Sequence, residues 1–195
     1  MYNIGYQNYV AAGCIASSNV IDLFTYGFLS LLPKIIVSYL VGLGIEFIVA
    51  QYKKEEIQEG YLVTGLIIPL ILPINCPLWM MALAVAFAVI FAKEIFGGTG
   101  MNIFNVALIA RAFLFFSYSG KMTGDEIWVA KESIFGLGNN LPEAFTMATP
   151  LALGSEQSTR ISDMIIGLIP GSVGETSVIA IAIGGIILLW TGIAS

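Results

Sequence analysis

The sequence contains no histidine and few charged residues. Of its 195 residues, 8 are basic and 13 acidic, so that charged residues make up 11% of the chain, whereas a soluble domain has about 25%. The lack of histidine excludes Ser-His-Asp hydrolysis, histidine-ligated zinc or haem, and histidine proton relays within this chain. The net charge is -5 and there is no basic stripe. We therefore expect no nucleic-acid partner.

Cysteine is also scarce. The chain has two cysteines, Cys14 and Cys76, which lie far apart in the sequence. An iron-sulfur cluster is usually held by about four thiolates, so this chain cannot bind one unaided. With only these two cysteines, far apart in the sequence, we expect no disulfide framework.

Apolar residues are abundant and are gathered in long runs. Hydrophobic residues make up 57% of the chain, and residues 61–92 contain no charged side chain. Most of the charges fall in 51–59 and 121–163. Because so few polar side chains cannot cover a globule of this size, we expect the lipid bilayer to solvate the chain.

The apolar runs predict an all-α, polytopic membrane helix bundle that forms one transmembrane domain over 1–195. A bilayer core of about 30 Å needs about 20 helical residues. Prolines and glycines break the bundle around residues 69–77 and again in 164–176, which indicates broken or re-entrant helices. The predicted membrane elements are 27–50, 61–74, 78–93, 103–119 and 164–194.

The distribution of lysines predicts the orientation. Lys53 and Lys54 follow the first span and Lys93 ends the third element. By the positive-inside rule, segments 51–60 and 93–102 face the cytoplasm. The loop 120–163 is then extracytoplasmic.

A glycine run follows the predicted element 78–93. Gly97, Gly98 and Gly100 allow the backbone to approach a ring or a phosphate, and the next helix would direct free N–H groups towards it. A tight turn between two helices explains the same residues, and on sequence alone the turn is favoured.

Arg111 lies among apolar residues in the middle of the predicted element 103–119. An unpaired cation at that depth costs several kcal/mol, so Arg111 must face protein or water. Its candidate partners are Glu46, Glu94 and an anionic or carbonyl-bearing ligand. A structural ion pair is the alternative to a functional role.

Two further polar segments have ordinary structural explanations. Thr146 and Thr149 fit a threonine cap at the head of a helix. Residues 167–177 combine glycines, hydroxyls and the carboxylate of Glu175 at a helix break. Such oxygens suit sodium, but a capped helix start explains them equally well.

Taken together and in this order, several segments resemble a known family. It comprises the B-type subunit of the sodium-translocating NADH:quinone oxidoreductase and the D-type subunit of the related ion-translocating ferredoxin:NAD oxidoreductase. Arg111 and the phenylalanines that follow it favour the sodium pump branch. The matching segments are 2–7 (YNIGYQ), 59–64 (EGYLVT), 92–100 (AKEIFGGTG), 105–108 (NVAL), 111–116 (RAFLFF), 144–149 (AFTMAT), 170–177 (PGSVGETS) and 191–195 (TGIAS).

The resemblance implies a function and a set of sites. It implies FMN bound covalently to Thr149 through a phosphoester, riboflavin held without a covalent bond, and ubiquinone near Gly97 and Gly98. It implies a fold like half of a urea-transporter inverted repeat, located in the bacterial inner membrane. The implied partners are subunits A, C, D, E and F of the complex. The chain would be the central part of a longer subunit.

The resemblance leaves the sodium pathway open. Glu46, Glu94 and Glu175 are the carboxylates at or near membrane depth, and we expect the pathway to use them. Two alternative functions remain: the D-type subunit of the ferredoxin-linked complex, and a passive channel or solute transporter with the urea-transporter-like fold.

Overall fold

The computed structural model describes residues 1–14, 19–54, 60–124, 127–142, 149, 160–174 and 176–192. Within these ranges the chain forms helices and no β-strand, which confirms the predicted all-α class. One helix is long and apolar, and several shorter ones are also apolar. The helices are α1 (Tyr2–Ala11), α2 (Val20–Lys53), α3 (Tyr61–Ile71), α4 (Leu78–Ala88), a π-helix (Val89–Glu94), α5 (Val106–Ser117), α6 (Ser119–Met122), α7 (Ile161–Ile166) and α8 (Val178–Trp190).

Helix α2 is the central element. Its 34 residues span about 51 Å at 1.5 Å per residue, so it is longer than a hydrocarbon core of about 30 Å. Among the described residues it alone meets the length and hydropathy expected of a membrane span. The predicted segment 27–50 lies inside it. The helix extends beyond that segment and ends where Lys54 adopts the left-handed conformation, with φ 57°.

Prolines interrupt the next apolar run. Helix α3 ends at Ile71, and Leu72 is extended because the residue before a proline, here Pro73, is disfavoured in the helical conformation. Helix α4 begins at Leu78, directly after Pro77. The run therefore contains two helices separated by a non-helical segment, which we call the break (residues 72–77). The prediction that α3 extends to residue 74 was too long by three residues.

Helix α5 begins later than the predicted element 103–119. The side chain of Asn105 accepts hydrogen bonds from the backbone N–H groups of Ala107 and Leu108, at 3.0 and 3.2 Å. An asparagine in this position caps a helix and fixes its first turn. The apolar count alone had placed the start at residue 103.

Two elements near the chain ends were not anticipated in their present form. Helix α1 was not predicted, because its buried residues include the polar Gln7 and Asn8 and no apolar stripe marks it. Helix α7 ends at Gly167, with φ 94°. In place of the half-length element expected within 164–176, the structure has a short helix that begins three residues earlier, at Ile161, and is followed by turns.

The core lies between α2, α3, α4 and α5. Helix α2 packs against α1, α3, α4 and the π-helix, while α5 packs against α3 and α4. Small and branched side chains of α4, such as Ala84 and Val85, are fully buried there, against partners such as Ile68 on α3 and Leu114 on α5. Helix α8 contains no buried residue. Its apolar surface is therefore available to lipid or to other protein.

Candidate functional site

A row of polar and small residues runs along one ridge of α2 and is buried. Its members follow each other at intervals of four residues, which places them on one ridge of an α-helix. From Ser30 to Glu46 the row covers about 24 Å at 1.5 Å per residue. We call this row the polar stripe; it consists of Ser30, Lys34, Ser38, Gly42 and Glu46, all of them buried.

At one end of the stripe, the Lys34 ammonium meets the break. Lys34 is 6% exposed. Its Nζ donates hydrogen bonds to the carbonyls of Pro73, at 3.2 Å, and of Ile74. Carbonyls beyond the C-terminal end of a helix lack partners within that helix and carry partial negative charge. The buried cation is thus solvated by backbone carbonyl dipoles.

The break is also tied to the loop 127–142. The backbone N–H of Asn75 donates to the carbonyl of Ile127, at 3.2 Å, and its side chain donates to Val129, at 2.7 Å. On the other side of the loop, Asn8 of α1 donates to the carbonyls of Ala130 and Asn139, at 2.8 and 2.9 Å. Hydrogen bonds to other parts of the protein therefore satisfy polar backbone groups of these irregular segments, as non-helical backbone at membrane depth requires.

A cavity of about 810 Å³ adjoins this end of the stripe. It is lined by Lys34 of α2, by Asn75 and Cys76 of the break, by Lys121 of α6 and by Glu132 of the loop 127–142. Sites for small molecules commonly have volumes of about 300–1,000 Å³. The Lys34 end of the stripe is therefore next to a space large enough for water and small solutes.

In the middle of the stripe, α3 approaches α2 closely. The Tyr61 hydroxyl donates to the carbonyl of Ser38, at 3.0 Å, and Ser38 Oγ lies 3.4 Å from the same hydroxyl. The approach requires glycine at position 42, because a Cβ there would overlap the Tyr61 ring. Small residues and side-chain hydrogen bonds are typical of contacts between membrane helices.

At the other end of the stripe, Glu46 forms an ion pair with Lys93. Both side chains are buried: Glu46 and Lys93 are each 4% exposed. The pair occupies Oε1 of Glu46. The second oxygen, Oε2, accepts no hydrogen bond from any described residue. A buried carboxylate oxygen without a partner carries a desolvation cost, so it is a candidate ligand atom.

The position of Lys93 depends on the π-helix. An α-helix that widens into a π-helix gains one residue per turn at that point, so the side chains that follow are rotated to a new face. Lys93 lies in the π-helix Val89–Glu94, which packs against α2. Lys93 Nζ also lies 5.8 Å from the centroid of the Tyr61 ring. π-Helical turns are frequent at functional sites.

A second ion pair lies further out. Lys53, at the end of α2, contacts Glu94 Oε2 at 3.4 Å and donates to the backbone carbonyl of Glu94 at 2.9 Å. The side chains are 32% and 14% exposed, respectively. The ends of α2 and of the π-helix are thus at the same end of the bundle. An exposed pair of this kind contributes about 0–1 kcal/mol to stability.

The glycine run reverses the chain after the π-helix. Gly97 and Gly98 have φ of 108° and 92°, which disfavours any residue with a Cβ. The N–H of Gly98 donates to the carbonyl of Lys93, at 3.0 Å. A Cβ on Gly60, just before α3, would overlap the Thr99 side chain. The turn therefore lies against the start of α3, next to Tyr61.

Arg111 does not pair with either predicted carboxylate. Glu46 and Glu94 form ion pairs with Lys93 and Lys53 instead. The reason is that α2 packs against the π-helix, which brings Glu46 to Lys93 and Lys53 to Glu94; α5 also contacts the π-helix but packs mainly against α3 and α4. Arg111 itself is half-buried on α5.

Comparison with known proteins identifies the group to which these features belong. The chain matches the model of the NQR2, RnfD, RnfE family over residues 1–195. The chain belongs to this family. The membership confirms the resemblance that the sequence motifs indicated.

Curated relatives in the NQR2, RnfD, RnfE family include bacterial proteins whose names state a function. The chain is 43% identical over 176 residues to the B-type subunit of the Na(+)-translocating NADH-quinone reductase of Ectopseudomonas mendocina, covering 89% of this chain and 42% of that protein. The same name is carried by a Klebsiella pneumoniae protein, 39% identical over 192 residues (92% and 44%). It is also carried by a Neisseria meningitidis protein, 36% identical over 202 residues (100% and 48%). The chain thus spans less than half the length of these three relatives.

The structure gives little information on Thr149 and Glu175, two residues that the resemblance and the sequence singled out. Thr149 is described and is half-buried, but the residues on either side of it lie outside the described ranges. Glu175 also lies outside the described residues.

Sequence reasoning missed Lys93, Tyr61 and Ser38 as members of the site. A signal for Ser38 was present, because polar and small residues recur every fourth position along the apolar helix α2. No comparable signal marked Lys93, since its orientation depends on the π-helix. The four-residue recurrence is thus the pattern that would have located the stripe in this family member.

Proposed function

We propose that the chain is a membrane redox subunit of a sodium-pumping NADH:ubiquinone oxidoreductase in the bacterial inner membrane. In this proposal it passes electrons from covalent FMN towards riboflavin and quinone, and the electron transfer is coupled to sodium export. The names of the curated relatives support the proposal, since they specify sodium translocation and quinone reduction. The proposed partners are subunits A, C, D, E and F.

The observation that carries the proposal is the buried Glu46 carboxylate, whose Oε2 accepts no hydrogen bond from the described part of the chain. A hard cation such as sodium takes oxygen ligands, and carboxylates inside membrane proteins commonly mark ion pathways. Glu94 lies nearer the surface on the same end of the bundle and would act at the rim of the pathway. Glu175 is retained in the proposal as a third carboxylate.

The electron carriers are proposed at two other positions. The Thr149 hydroxyl would hold FMN through a phosphoester, which leaves the ring system free for redox chemistry and prevents its loss between turnovers. Gly97 and Gly98 would admit quinone, because their backbone has no side chain to obstruct a ring. When bound, the flavin and quinone supply the redox chemistry; the chain's own residues position them.

Mass spectrometry tests the flavin part of this proposal. The full-length subunit, expressed with its complex and a flavin transferase, should yield a peptide containing Thr149 with the added mass of FMN. Thr149→Ala should lose this mass and the fluorescence on a denaturing gel, while Thr146→Ala should keep both. An unmodified Thr149 peptide from an active wild-type complex would exclude the covalent flavin at this residue.

The family includes the ferredoxin-linked complex, which is the main alternative function. An assay of the purified complex distinguishes the two: oxidation of NADH by quinone supports the sodium pump, and reduction of NAD by ferredoxin supports the alternative. A passive channel would transport solute with neither redox activity.

A further inference from the structure

One oxygen of Glu46 accepts no hydrogen bond from the residues that the structure describes, so there the buried ion pair is incompletely satisfied. Glu46 is 4% exposed, so bulk water does not compensate for the missing hydrogen bond. Its Oε1 accepts from Lys93, whereas Oε2 accepts from no described residue. A second cation could therefore approach Glu46 at Oε2 before Lys93 leaves Oε1.

Lys93 has a second favourable position close by. Its Nζ lies 5.8 Å from the centroid of the Tyr61 ring, and a cation within about 6 Å of an aromatic face is attracted to it. The lysine stem is long and flexible. Because the ammonium already lies within that distance, a small movement of the side chain would take it from Glu46 to the ring.

The surroundings of Glu46 also suit a small hard cation. The Tyr61 hydroxyl lies over Gly42, one helical turn from Glu46, because a Cβ on Gly42 would overlap that hydroxyl. The same hydroxyl hydrogen-bonds to Ser38. Hydroxyl, carbonyl and carboxylate oxygens thus lie along one ridge of α2, and these are the ligand types that sodium uses.

We propose that Lys93 is a tethered counter-ion of Glu46, which the transported sodium ion displaces onto the Tyr61 ring. This inference rests on the proposed function, since it takes sodium as the transported ion. With sodium bound, the site holds two cations and one carboxylate. The excess positive charge keeps the occupancy short, as transport requires an ion to leave as readily as it enters.

The test measures quinone reductase activity of the purified full complex against sodium concentration. Lys93→Gln removes the competing cation, so the half-saturating sodium concentration should fall by about 5- to 150-fold, the usual range for coupling between two ligands. Maximal turnover should fall as well, because sodium leaves more slowly. The assay is repeated at several higher pH values. A protonated Glu46 would bind sodium poorly and could hide the fall in the half-saturating sodium concentration. Lys54→Gln removes a charge from an exposed position at the end of α2 and should leave the half-saturating concentration unchanged.

Substitution of the ring provides a second test that does not alter the charged pair. Tyr61→Leu removes the alternative position for Lys93 and should raise the half-saturating sodium concentration. Tyr61→Phe keeps the ring and should lie closer to wild type. If Lys93→Gln does not assemble into the complex, the comparison of Tyr61→Leu with Tyr61→Phe tests the displacement of Lys93.

The outcomes separate this inference from the proposed function. An assembled Lys93→Gln complex with the wild-type or a higher half-saturating sodium concentration overturns the displacement of Lys93. If that variant does not assemble, equal sodium dependence in Tyr61→Leu and Tyr61→Phe does the same. A wild-type complex whose activity is independent of sodium overturns the proposed function itself.

Discussion

Lys34 and Ile74 connect the long helix to the break between α3 and α4. The Lys34 ammonium donates to the carbonyl of Ile74 and also to that of Pro73. The contact places a buried positive charge where the polypeptide leaves the helical conformation. The proline break and the lysine therefore depend on each other: the carbonyls need a donor, and the cation needs acceptors.

Replacing Lys34 should destabilise the protein. Lys34→Met keeps most of the apolar stem but leaves the Ile74 carbonyl without this donor, at a cost of about 1–3 kcal/mol, whereas the Pro73 carbonyl still accepts from the N–H of Cys76. We expect a lower thermal unfolding temperature of the full complex in detergent. Lys121→Met, an exposed position on the rim of the cavity, is the control. Equal unfolding temperatures for the two variants would contradict the structural role of Lys34.

Two glycines of α2 should respond differently to alanine. Gly42→Ala places a Cβ against the Tyr61 ring, whereas a Cβ at Gly44 meets nothing within 4 Å. Gly42→Ala should separate α2 from α3 and lower the unfolding temperature. Gly44→Ala should be neutral or stabilising by up to about 1 kcal/mol, because alanine favours helix over glycine. If Gly42→Ala and Gly44→Ala unfold at the same temperature, that result would contradict the close contact between Gly42 and the Tyr61 ring.

The two carboxylates near the glycine run should differ in their effect on sodium dependence. Glu46 is buried beside Lys93, while Glu94 pairs with Lys53 closer to the surface. Under the proposed function, Glu46→Gln should abolish the stimulation of quinone reduction by sodium. Glu94→Gln should weaken it less. Activity of the full complex is measured with and without added sodium; a larger effect at Glu94 would reverse the proposed order.

Asn8 should hold the loop 127–142 against α1. Its side chain donates to Ala130 and Asn139 and accepts from the N–H of Asn139, at 2.8 Å. Asn8→Ala removes these bonds, so limited proteolysis should cut the loop faster than in wild type. Tyr9→Phe removes a single acceptor, that of the Gly138 N–H, and should have a smaller effect. Unchanged cleavage in Asn8→Ala would show that other contacts secure the loop.

Several parts of the fold could be predicted because they depend on local chemistry. Prolines remove a backbone donor and exclude helical geometry in the residue before them, so the break after α3 was visible in the residue order. Its exact end, at Ile71 rather than residue 74, follows from the same rule applied to Pro73. The start of α5 at Val106 was also encoded locally, by Asn105, but a count of apolar residues does not detect a cap.

The partners of the charged residues could not be predicted in this way. Glu46 and Glu94 were candidate partners of Arg111, beside an anionic or carbonyl-bearing ligand, and both carboxylates instead pair with lysines. Lys93 looked like a charge at the end of a helix, since nothing local indicates that the helix widens after Ala88. Which side chains meet across a bundle depends on helix rotation, and one inserted residue changes that rotation.

The sequence by itself determined that this is an all-helical membrane protein with an interrupted run after its long helix, and its motifs determined the family. Composition and the positions of the prolines suffice to predict the helices and their interruption, because each of these effects depends only on residues within one segment. Only the tertiary structure decided that Glu46 is buried against Lys93, with one oxygen that accepts no hydrogen bond from a described residue, and that Lys34 donates to the carbonyls of the break. These contacts join residues far apart in the chain, and their geometry exists only once the helices have packed.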